Sequence, residues 1–117
     1  MKGQGFLRRF GYARAGIVTA FRRERSMRTH GVAVVAAVAF LGLTRAPAQW
    51  WALVGLAVGL VLVAEMANTA IETLADHLHP GQHPEIGVAK DVAAGAVLVA
   101  SFVAVVVGLA YLATLLG

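Results

Sequence analysis

The sequence predicts an all-α integral membrane protein, with an amphipathic surface helix followed by three transmembrane helices. Two observations carry this. Of 117 residues, 59% are hydrophobic and only 14% charged, against about 45–50% and about 25% in a soluble domain. The few charges are also sorted by position, leaving three apolar stretches between them. So small a soluble domain is mostly surface and needs more charge to cover itself. Disorder is excluded because disordered chains are poor in apolar residues. The absence of Cys excludes a disulfide scaffold, a thiolate metal site and a Cys nucleophile.

The first element is a basic head. Eight of the ten Lys and Arg residues fall within the first 28 positions, from Lys2 to Arg28, and the formal net charge is +4. Phe6, Phe10, Ala13, Ile17 and Phe21 recur at three- and four-residue steps, while Arg8, Arg9, Arg14, Arg22 and Arg25 fall largely elsewhere. That is a surface helix over about 5–28. Its arginines fit attraction to anionic lipid and membrane topology. The aromatics occupy the apolar face instead of forming a stacking platform, so nucleic acid is not an expected partner.

Three spans follow, over about 29–46, 50–77 and 88–116. The first has a short apolar core, Gly31 to Leu43, lengthened by snorkelling residues at either end and stopped by Pro47. A signal peptide is the rival reading of this stretch, with Ala46-Pro47-Ala48 as a mimic of a cleavage site, but so long a basic region and a Pro there argue against it. Trp50-Trp51 open the second span as an interfacial belt. The third has no charged residue from Val92 to Gly117. The positive-inside bias places the basic head in the cytoplasm, the Arg45 turn outside and the Asp76–Asp91 loop back in the cytoplasm.

The costly residues carry the functional signal. Five of the six acids lie between residues 65 and 91. Glu65, Asn68, Thr69, Glu72 and Asp76 share one stripe of a helix, and carboxylates at membrane depth default to a functional reading. The bland alternative is pairing with Lys90 or Arg residues to hold the bundle together. Carboxylates and an amide suit Mg²⁺, a separate carboxylate suits a general base, and a Lys suits phosphate. Those are the parts of phosphoryl transfer, although neither a P-loop nor a protein-kinase Gly-rich loop is present. His77, His79 and His83 read as polar loop residues before they read as a metal site, His30 as an interfacial residue, and Gly55/Gly59 as a weak helix-packing pair.

The run Glu65-Met66-Ala67-Asn68-Thr69-Ala70-Ile71-Glu72, then Asp76, then Ala89-Lys90-Asp91 through Val99, resembles the small bacterial membrane lipid kinases, the diacylglycerol kinase and undecaprenol kinase family. The likeness runs from about Phe10 to Tyr111, and the wording of both runs is closer to the undecaprenol kinase branch. The resemblance implies a homotrimer in the bacterial plasma membrane, with composite active sites between protomers on the cytoplasmic side. It implies ATP and Mg²⁺ as cofactors and a lipid alcohol as substrate, undecaprenol first and diacylglycerol second. Glu65 would be the base, Asn68 would position the reacting groups, and Glu24 and Glu72 would hold the metal. Tyr12, His83, Lys90 and Asp91 would contact the nucleotide. Gly81-Gln82 depart from the Glu-Tyr of many members, and Gly5 stands where the family has an arginine.

Two other classes remain at this stage. A small proton-coupled multidrug transporter is of similar size, but needs four spans and an acid in the first. A purely structural subunit leaves Glu65, Asn68 and Glu72 without a role.

Overall fold

The computed structural model describes residues 5–117 as four helices: α1 (Phe6–Arg23), α2 (Arg25–Leu43), α3 (Ala48–Leu78) and α4 (Pro84–Leu116). Lys2 of the basic head lies outside the described residues. α2, α3 and α4 are each long and apolar enough to cross a membrane. The fourth span that a multidrug transporter needs is absent among the described residues.

The α1–α2 break falls at Glu24, whose backbone is extended (φ −105°, ψ 119°). Neither Gly nor Pro makes it. Arg28, one turn into α2, reaches back and donates from Nη1 to Phe21 O (3.1 Å) and Arg22 O (2.8 Å). Carbonyls in the last turn of a helix have no intrahelical partner, so this guanidinium ends α1 and fixes the corner. Gly31 then lets the corner close. A Cβ at that position would sit 2.9 Å from Phe21 Cε1.

α2 ends in a Schellman motif. Ala46 N–H donates to Leu41 O (2.9 Å) and Arg45 N–H to Gly42 O (3.2 Å). Arg45 takes the left-handed conformation (φ 55°) that this position usually gives to Gly. Pro47 then initiates α3 as its N-cap. At the other end, His83 caps α4: its Nδ1 accepts from Glu85 N–H (3.1 Å), with Pro84 in the first turn.

α3 and α4 form the most extensive pair, α2 lies on α3, and α1 touches α2 and α3. The buried residues of α3 and α4 are mostly small (Ala57, Val61, Ala93 and Ala100). Such side chains let membrane helices approach closely where no hydrophobic force drives them together. Larger residues such as Leu56, Leu98 and Phe102 point outward, as apolar side chains do where lipid or another chain is the solvent.

The far ends of the three spans are tied by an aromatic knot. Tyr111 is buried, and its hydroxyl meets Thr44 Oγ1 at 2.5 Å. Its ring stands edge-on to Phe40 (centroids 6.0 Å) and lies 5.4 Å from Trp50. With the far ends aligned, length differences appear at the near end. α2 has 19 residues, about one crossing. α3 and α4 have 31 and 33, about eleven and thirteen more than a crossing needs. Their surplus turns stand beside the α1–α2 corner and carry the polar residues.

Candidate active site

Three polar groupings lie along the near-end half of α3. The deepest is Glu65, 5% exposed and the one buried charged side chain among the described residues. Ser26 Oγ donates to its Oε1 at 2.5 Å, and His30 Nε2 lies 3.6 Å from its Oε2. Burying a carboxylate without compensation costs several kcal/mol, and α2 supplies both neighbours. In the sequence alone His30 reads as an interfacial residue and Ser26 carries no mark. The available signal was their four-residue spacing, which puts both on one face of α2.

One turn on, Asn68 Nδ2 donates to Glu72 Oε1 (3.2 Å). Asn68 Oδ1 and Thr69 Oγ1 are buried and have no hydrogen-bond partner. Buried polar atoms are paired in the great majority of cases, so Asn68 Oδ1, beside the Glu72 carboxylate, and Thr69 Oγ1, on a neighbouring face of α3, can each take a further partner. An amide oxygen and a carboxylate are hard donors of the kind Mg²⁺ takes, so the chemistry of Asn68 and Glu72 fits that ion. No group of three His, Asp or Glu able to hold a metal occurs within the chain among the described residues.

The outermost grouping joins α3 to α4. Lys90 Nζ donates to Asp76 Oδ1 at 2.5 Å. The bundle-holding pairing that the sequence left open is therefore present at Asp76, and neither Glu65 nor Glu72 pairs with Lys90. Lys90 and Asp76 line a cavity of about 590 Å³ with Gly81, His83, Ile86 and Gly87, within the usual ligand-site range of about 300–1,000 Å³. His83 Nδ1 is occupied as the α4 cap, which leaves Nε2 free to meet a ligand. His79 stacks edge-on against it (centroids 5.2 Å), and its own Nδ1 lies 3.1 Å from Gly81 O.

Helical geometry relates these groupings. At about 100° per residue, Glu65, Glu72 and Asp76 fall on one line of α3. Asn68 turns from that line toward α4, where it borders a cavity with Ala93 and Ala96. Glu24 lines a cavity of about 640 Å³ between α1 and α3, with Thr69, Thr73 and His77. That face lies roughly 100° around α3 from Glu72.

The structure thus brings together Glu65 with Ser26 and His30, Asn68 with Glu72, and Asp76 with Lys90 and His83. It does not gather the other expected site residues among them. Tyr12 is 48% exposed on α1, Asp91 is exposed beside Lys90 on α4, and Glu24 borders its separate cavity.

The sequence model of the family described as prokaryotic diacylglycerol kinase matches residues 11–112. Among curated proteins, a diacylglycerol kinase of Synechocystis is 43% identical over 104 residues, covering 85% of this chain and 57% of that protein; the chain thus spans little more than half of that relative's length. An undecaprenol kinase of Bacillus subtilis is 34% identical, covering 89% and 85% of the two chains. A diacylglycerol kinase of Escherichia coli is 36% identical, covering 82% and 79%. Identity does not single out the undecaprenol branch that the wording of the two runs favoured.

Proposed function

Because the chain belongs to the prokaryotic diacylglycerol kinase family, a family of lipid kinases, we propose that it transfers the γ-phosphoryl group of ATP to the hydroxyl of a membrane lipid alcohol, with Glu65 as the base. The observation that carries this reading is the buried Glu65 carboxylate. It sits at the depth where α2 and α3 meet, below Glu72 and Lys90 on the protruding turns. A lipid hydroxyl stays near the membrane edge while a nucleotide arrives from water. The reacting groups would therefore meet along the Glu65-to-Lys90 line.

In the reaction, Glu65 takes the hydroxyl proton as the lipid oxygen forms its bond to the γ-phosphorus. The bond to the β–γ bridging oxygen breaks and ADP leaves, so atoms and charge balance. Lys90 supplies a point charge toward phosphate, with Asp76 holding its ammonium in place. His83 and Asp91, and Tyr12 from α1, contact the nucleotide in this reading, and Asn68 positions the reacting groups. Glu72 and Asn68, with Glu24 as the further acid, would hold Mg²⁺, which would supply positive charge against the phosphate oxygens. Glu24 and Glu72 belong to different faces of one protomer. A homotrimer with sites between protomers, lying with its basic head and site on the cytoplasmic side of the bacterial plasma membrane, lets Glu24 join from a second copy. α1 would then rest on the membrane surface.

Undecaprenol is the alcohol favoured by the wording of residues 65–72 and 89–99, giving undecaprenyl phosphate. Diacylglycerol, giving phosphatidic acid, is the second reading, favoured by the 43% identity to a diacylglycerol kinase. The test is purified protein in detergent with labelled ATP and each lipid in parallel. Faster labelling of undecaprenol is expected. Faster labelling of diacylglycerol reverses the substrate assignment, and no labelled lipid from either overturns the function.

A further inference from the structure

We propose that His30 is a positioning residue for Glu65, acting with Ser26 to hold both carboxylate oxygens from one face of α2. The inference rests on the reading of Glu65 as the base.

Five observations support it. Glu65 is buried, and Ser26 Oγ donates to Oε1. His30 Nε2 stands 3.6 Å from Oε2, beyond hydrogen-bond length and within ion-pair range; such contacts are often loose before substrate binds and tighten afterwards. The two α2 residues are four apart, so one helix face presents both groups to one carboxylate. Finally, His30 is not simply facing lipid. It lines a cavity of about 180 Å³ where Val34, Val61 and Ser101 bring α2, α3 and α4 together. Val61 lies one helical turn from Glu65 on α3.

A carboxylate tethered at one oxygen still swings about its terminal torsion, which is broad for Glu. With both oxygens held, it has a single orientation, and the free lone pairs point one way. A base must be held to within about 0.5 Å of its productive place, and a misplacement of about 1 Å costs about 10²-fold in rate. His30 is suited to this work because its ring is rigid and Nε2 reaches across the helix gap. It never needs to touch the lipid.

The test compares His30→Gln with His30→Met in the full chain. The side chains are similar in length, but only Gln keeps an N–H donor where Nε2 stood. Turnover, KM for ATP and thermal unfolding are measured for both with labelled ATP and the lipid alcohol. His30→Met should lose about 10²-fold in kcat, with KM for ATP changed by less than about twofold. His30→Gln should recover most of that loss, at a similar unfolding temperature. Equal kcat in the two variants, whether high or low, overturns the proposal. Should either variant fail to fold, Ser26→Ala and Ser26→Thr put the same question to Oε1. Thr keeps a hydroxyl and should keep turnover, Ala should not, and equal rates there overturn the positioning role. Glu65→Gln is assayed alongside. Normal turnover in Glu65→Gln removes the base itself. An inactive Glu65→Gln beside equal His30 variants removes only the positioning role.

Discussion

The two ends of the helical bundle treat polar groups in opposite ways. At the far end, the Tyr111 hydroxyl meets Thr44 Oγ1, Thr44 Oγ1 also donates to Phe40 O, and Thr114 Oγ1 donates to Tyr111 O. Aromatic rings close over them. At the near end, Asn68 Oδ1 and Thr69 Oγ1 are buried without partners, and a carboxylate is buried one turn away. Both ends join helices, yet only one leaves capacity unused. A fully satisfied polar knot rigidifies, and a partly satisfied one costs stability. The near end carries that cost and the far end does not.

Substitutions at the two ends should therefore separate activity from stability. The largest loss of rate among the supporting residues is expected from Glu72→Gln, which should lower kcat by about 10²–10³-fold with little change in unfolding temperature. Raising Mg²⁺ should restore part of it, and a variant indifferent to Mg²⁺ would remove Glu72 from the metal site. Asn68→Ala comes next. It deletes the amide bonded to Glu72 and should reduce lipid phosphorylation by about 10–100-fold, read from initial rates at saturating ATP. Tyr111→Phe belongs to the other end. It should lower unfolding stability by about 1 kcal/mol and leave kcat unchanged; a loss of activity there would break the contrast between the ends. The smallest effect is a gain. Arg45→Gly relieves a left-handed residue at the α2–α3 turn and should stabilise by up to about 1 kcal/mol, seen as a raised unfolding temperature with parent-like turnover.

The same contrast explains what could be read from the residues alone. Three spans were legible because so few charges interrupt the apolar stretches, and the Glu65–Asp76 stripe because acids are costly at that depth. Both depend on composition and one helix's periodicity. The Glu24 corner was not legible, because no breaker residue marks it and its cause is a guanidinium seven positions past Phe21. Surface-helix periodicity continued through it to about residue 28, whereas α2 begins at Arg25. The partners of Glu65 were hidden for the same reason: Ser26 and His30 are 39 and 35 positions away and meet it only once α2 lies on α3. Tyr111 and Thr44, 67 positions apart, were equally out of reach. Glu24 shows the limit from the other side. The family pattern paired it with Glu72, while within one chain Glu24, at the α1–α2 corner, borders a face of α3 other than the one that carries Glu72.

As the proposed base of a lipid kinase, the buried Glu65 carboxylate at the near end is the group on which transfer should depend most. The most direct test is transfer of labelled γ-phosphate from ATP to undecaprenol or diacylglycerol by Glu65→Gln, a substitution that keeps shape and removes the basic oxygen. No transfer above background is expected from a protein that unfolds at the parent's temperature. Near-normal transfer would show that Glu65 is not the base.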